Sequence, residues 1–172
     1  MTSQEKKADN VILGAVVSTA AMGALPLLGD ITTLVVANGA MIGGLALIYD
    51  MEWDDNQTRK FVQRVIESSA VTLGSLKLLA TGLALTGIGL PLAITMNGVL
   101  NAMITLGLGR AAKFYFASGG EAKDSEVYEK FMKTVGLSGL KDVVKMVRDE
   151  AKKVVESDKD EVEETEATEE EG

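Results

Sequence analysis

Four carboxylates gather around the single tryptophan: Asp50, Glu52, Asp54 and Asp55 flank Trp53. Acidic oxygens at that density suit a hard cation, but the spacing lacks the loop glycine and closing glutamate of a calcium-binding hand. The same acids also suit the capped start of a helix, where negative charge sits near the positive end of the backbone dipole. A second motif, Gly107-Leu108-Gly109-Arg110-Ala111-Ala112, has the G-x-G-x-x-A spacing used to approach a dinucleotide pyrophosphate. It follows a helical stretch and not a strand, so the phosphate-binding turn is not expected there. Polar groups set in apolar stretches form a third set: Asn38, Lys77, Asn97 and Asn101. Asn97 and Asn101, spaced i, i+4, would hydrogen-bond a neighbouring helix or, together with Lys77, line a polar pore.

The absences are broader. The chain has no His and no Cys, which excludes disulfides, thiol nucleophiles, zinc fingers and His-based triads. No G-x-x-x-x-G-K-[ST] loop occurs, so the chain has no P-loop of its own. A net charge of −8 argues against a nucleic-acid partner, which requires a basic footprint. No catalytic constellation, cofactor site or metal site emerges, and the expectation is a non-enzymatic protein.

The elements that must position these residues are helical. Long blocks rich in Ala, Leu, Met and Gly lack the short alternating runs of a β protein. The pattern predicts helices at about Asp9–Ala24, Asp30–Tyr49, Asp55–Leu85, Pro91–Ala117, Ser125–Val135 and Ser138–Glu156. Pro26 ends the first, Asp30 caps the second, and Pro91 opens the fourth. The expected class is all-α: helical hairpins forming a four-helix apolar body, two short amphipathic C-terminal helices and a disordered acidic tail. The divisions fall at a polar segment 1–10, the apolar helical domain 11–120, amphipathic helices 121–156 and the tail 157–172. Nine acids and one base, Lys159, lie between Ser157 and Gly172, so the tail alone carries the net charge of −8. Such a run cannot bury enough surface to order itself.

Val11–Gly29 and Ile31–Tyr49 carry no charge, and Ser68–Gly109 carries only Lys77. Each of the first two would be about 28 Å long as a helix, close to the hydrocarbon thickness of a bilayer. Folded as hairpins, these blocks put Arg59, Lys60, Arg64, Arg110 and Lys113 on one side, in keeping with the positive-inside tendency. Against insertion stand Lys77, the three asparagines and the dilution by small residues. A buried helix of a water-soluble bundle is apolar on most sides too. The polar first ten residues do not suggest a cleavable signal peptide. Gly39–Gly43, Ala40–Gly44, Gly98–Ala102 and Gly107–Ala111 are small-xxx-small pairs that permit close helix approach, within one protomer or between copies. In the last helix, Lys141, Lys145, Arg148 and Lys152 oppose an apolar face, as in helices that lie on an anionic membrane surface or bind a partner groove.

Pro26-Leu27-Leu28-Gly29-Asp30, Ala40-Met41-Ile42 and Ile48-Tyr49, with the later Leu106–Ala112 and Phe114–Phe116, resemble the YcjF-like bacterial domain of unknown function. The resemblance covers about residues 11–120. That family usually has Gly after the tyrosine, where this chain has Asp50. The resemblance implies an all-helical, membrane-associated module serving a separate GTPase, and it supplies no catalytic residues. The expected function is therefore a small helical membrane protein or membrane-anchored adaptor that self-associates, located in the bacterial inner membrane with cytoplasmic termini. The alternatives are a cytoplasmic helical bundle that binds a partner, and an oligomeric pore. The expected partners are the lipid bilayer, further copies of the chain and a GTPase.

Overall fold

The computed structural model describes residues 1–21, 31–69, 90–135 and 142. These residues form five helices and no strand: α1 Ser3–Ala21, α2 Ile31–Ile48, α3 over 55–69, α4 Leu90–Ala117 and α5 Asp124–Val135. The class is all-α. α4 packs against α1, α5 and α2, and α1 packs against α2.

Local chemistry sets most of the visible ends. α1 begins at Ser3 and not near Asp9, because Thr2 and Glu5 make a reciprocal cap. The Glu5 N–H donates to Thr2 Oγ1 at 3.1 Å, and the Thr2 N–H donates to Glu5 Oε2 at 2.6 Å. The polar segment is therefore the first turns of α1, and Ala8 within it is fully buried. α3 starts on the same device: the Gln57 N–H donates to Asp54 Oδ1 at 2.6 Å, and the Asp54 N–H to Gln57 Oε1 at 2.8 Å. α4 opens at Leu90 with Pro91 in its first turn, where a missing N–H costs nothing.

Two helices end in the same hydrogen-bond pattern with different residues at the critical position. After α4, the Gly119 N–H donates to Phe116 O (2.9 Å) and the Gly120 N–H to Tyr115 O (3.0 Å). After α2, the Asp50 N–H donates to Leu47 O (3.2 Å) and the Met51 N–H to Ala46 O (2.9 Å). Both are Schellman closures, which place one residue in the left-handed region. Gly119 occupies it with φ 68°, whereas Asp50 adopts φ 54° with a side chain attached.

The core draws on every helix, including Ile12, Val16, Ile42, Leu45, Phe61, Leu106, Phe116 and Phe131. α4 is its axis: every residue from Leu100 to Gly109 is buried. That explains why α4 is apolar on all sides. α5 is amphipathic, burying Val127, Phe131, Thr134 and Val135 against α4. α2 is equally apolar in sequence, yet Val36 is 76% and Leu47 77% exposed. No helix among the described residues is long and apolar enough to cross a membrane. α2 has 18 residues, at the lower end of the ~17–25 that spanning helices use.

Candidate functional site

Three of the helices, α1, α2 and α4, have their charge gathered at one end, whereas α3 and α5 are charged along their length. The Gln4 side-chain amide donates to Ile48 O at 2.6 Å, joining the start of α1 to the end of α2. Lys113 on α4 meets Asp9 on α1 at 2.6 Å. On α1, α2 and α4 all charged residues lie at this end: Glu5, Lys6, Lys7 and Asp9 on α1, none on α2, and Arg110 and Lys113 on α4. From there toward Ala21, Ile31 and Leu90 the three helices are uncharged.

Aromatic packing fixes the link between α2 and α3 to this end. Trp53 meets Phe116 edge-on at 4.8 Å and Tyr115 at 5.9 Å, and its indole N–H donates to Thr58 Oγ1 at 2.9 Å. Edge-to-face pairs of this kind add to the area that they bury. Tyr49 lies near Lys113, Glu5 and Asp9; burial pushes its phenol above the ordinary value of 10.0, and the Lys113 charge opposes that shift. Its hydroxyl is buried and has no hydrogen-bond partner among the described residues.

The acidic group is exposed: Asp50, Glu52 and Asp54 sit on this link and Asp55 opens α3. Asp54 is engaged as the cap of α3, and no group of three or more metal-ligating side chains forms among the described residues. The G-x-G-x-x-A motif lies in mid-α4. A Cβ at Gly107 would come within 2.8 Å of Phe131 and 2.9 Å of Val135, and one at Gly109 within 2.9 Å of Ile12. Both glycines serve helix packing, so no phosphate-binding turn exists there.

The small residues singled out in the sequence divide by direction. Gly98, Ala102, Gly107 and Ala111 are buried within the protomer. Gly44 faces α1, where an added Cβ would lie 3.5 Å from Val11 Cγ1. Gly39 and Gly43 face outward, and a Cβ on either would meet nothing within 4 Å. Asn38 and Asn101 are buried and engaged inside the fold. Asn97 stands one turn before Asn101 on α4. Pro26, Asp30, Lys77, Lys141, Lys145, Arg148 and Lys152 lie outside the described residues, as do the helix expected at Ser138–Glu156, apart from Asp142, and the acidic tail. Asp142 pairs with Arg110 of α4 at 3.0 Å.

Two depressions run along the outward face of α2. One, of about 540 Å³, is lined by Val36, Gly39 and Ala40 on α2 and by Asp55, Asn56, Thr58 and Arg59 on α3. The other, of about 360 Å³, is lined by Gly43, Ala46 and Leu47 and by the link from Asp50 to Trp53. A cleft between α3, α4 and α5, with Arg64, Tyr115 and Tyr128 among its walls, holds about 160 Å³. That is below the ~300 Å³ at which small-molecule sites begin. Val36 and Leu47 were not singled out from sequence, because nothing in an uncharged helix marks its outward face.

Residues 1–144 match the family described as DUF697, a domain of unknown function. The chain belongs to this family. The family match takes in all five described helices and reaches into the C-terminal segment at Asp142. No curated protein and no solved structure matches the chain.

Proposed function

We propose that this DUF697 domain is a non-enzymatic, membrane-anchored helical adaptor. Its uncharged end associates with the bilayer, and its charged end is presented to a partner, a separate GTPase being the class that the family resemblance implies. The observation that carries this reading is the separation of charge along α1, α2 and α4: charged side chains occupy one end, and the helices leave that end without any. Burying the uncharged ends of these three helices in lipid gains the transfer of apolar surface without moving any of their own formal charges into hydrocarbon. The anchoring unit is the bundle end, not a single spanning helix.

A water-exposed bundle that binds a partner is the second reading, favoured by the complete burial of α4 between Leu100 and Gly109. Alkaline carbonate extraction of membranes from cells producing the full chain separates the two. The adaptor reading expects the protein in the membrane pellet, and full recovery in the supernatant refutes anchoring. Self-association through Gly39 and Gly43 is the competing use of the α2 face, and sedimentation of the purified chain tests it.

A further inference from the structure

The outward face of α2 is the one apolar surface of the described residues whose large side chains stand free. Apart from Met1, the only large apolar side chains exposed there are Val36 and Leu47. Both lie on one stripe with Gly39, Ala40 and Gly43. From Val36 to Leu47 this stripe is about 16 Å long, three helical turns. The two outward glycines notch its middle and let another backbone approach closely. Asp50, Glu52 and Asp55 stand along one side, with Arg59 at the far end and Lys7 of α1 near Leu47 and Asp50. Asp50 holds its place on that rim in a left-handed conformation, at a position that the matching closure of α4 gives to glycine.

We propose that this groove is the docking site for a basic amphipathic helix of a partner protein. Its apolar side chains fill the notches at Gly39 and Gly43, and its Lys or Arg residues meet Asp50, Glu52 and Asp55. This is helix-in-groove recognition: burial supplies the affinity and the rim charges select the sign of the partner. A second copy of the chain fits less well, because it brings the same predominantly acidic rim and a tail of net charge −8. The groove begins at the charged end of the bundle and reaches Val36, five residues from the start of α2, so it is open to a partner only where a bilayer does not cover the uncharged end to that depth.

Trp53 lines the groove and is the only tryptophan of the chain, so its fluorescence reports occupancy. The probe is a tryptophan-free, three- to four-turn Leu/Lys amphipathic peptide, titrated into the full chain beside a Leu/Glu peptide of the same pattern. The Leu/Lys peptide is expected to shift Trp53 emission saturably with a Kd of roughly 10 µM, and the Leu/Glu peptide to bind at least about tenfold more weakly. The charge-reversed variant Glu52→Lys/Asp55→Lys and the groove-filling variant Gly43→Leu should each weaken binding about tenfold or more. Their folding is verified by far-UV circular dichroism; since a Cβ at Gly43 meets nothing within 4 Å, the second variant reports on the groove even if the first misfolds. Four results overturn the proposal. The two peptides bind equally; affinity is unchanged in Gly43→Leu, which assigns binding to the acidic tail; sedimentation shows a dimer that Gly43→Leu dissociates; or neutral phosphatidylcholine vesicles shift Trp53 while the Leu/Lys peptide does not.

Discussion

Replacing one glycine type by alanine at four places on the bundle should give effects of opposite sign, set by what stands in front of each. At Gly39 and Gly43 an added Cβ meets nothing within 4 Å. The substitution there removes only the helix penalty of glycine, a gain of about 1 kcal/mol each. For a chain of this length that raises Tm by roughly 2–4 °C per site. At Gly107 the Cβ would lie 2.8 Å from Phe131 Cδ2 and 2.9 Å from Val135 Cγ2, and at Gly109 2.9 Å from Ile12 Cγ1 and 3.0 Å from Met41 Sδ. Phe131 is fully buried and cannot swing into solvent. Overpacking of this kind costs about 1–3 kcal/mol, so after the propensity gain Gly107→Ala and Gly109→Ala should each be destabilising by about 1 kcal/mol. Thermal and guanidinium denaturation followed by circular dichroism measures all four. If Gly107→Ala stabilises as much as Gly39→Ala, α5 does not lie on α4 as described. If Gly39→Ala and Gly43→Ala destabilise, the outward face of α2 is already occupied.

Asp50→Gly should stabilise the fold by about 1 kcal/mol, since it relieves the left-handed strain and removes an acid from the negative end of α2; denaturant midpoints test this, and a loss of stability would refute the strain. The same variant should weaken binding of the Leu/Lys peptide, so stability and docking move in opposite directions. Thr105 has a buried hydroxyl without a partner, so Thr105→Val should stabilise by about 1 kcal/mol in the same assay, and a loss would reveal an unseen hydrogen bond. The Thr2 backbone N–H holds the Glu5 carboxyl below its ordinary value of 4.5. A depressed carboxylate contributes stability above its unfolded pKa, and that contribution is lost as pH falls through the folded one. NMR titration should therefore give a Glu5 midpoint below 4.5 with the Thr2 and Ser3 signals moving in step, and a midpoint at or above 4.5 would remove the cap.

Features carried by neighbours in sequence were legible, because their physics is local. The acids beside Trp53 include the cap of α3, Gly119 and Gly120 end α4, and the amphipathic helix expected at Ser125–Val135 is α5. The start of α1 was also written locally, in Thr2-Ser3-Gln4-Glu5, and a capping-box search would have found it. The fate of the small residues was not local. Gly39, Gly43, Gly98 and Gly107 look alike in the chain, and only the position of α5 against α4, and of α1 against α2, separates packing contacts from an open face.

By itself the sequence determined the all-helical class, the absence of thiol and imidazole chemistry, the tail that holds the net charge and the uncharged character of α2 and most of α4. Each of these depends on composition or on spacing within a few turns. The tertiary structure alone decided that α4 is apolar because it is enclosed, while α2 is apolar and exposes Val36 and Leu47. A helix without polarity contrast has no preferred face of its own, so the direction in which it looks is set by the neighbours that pack against it.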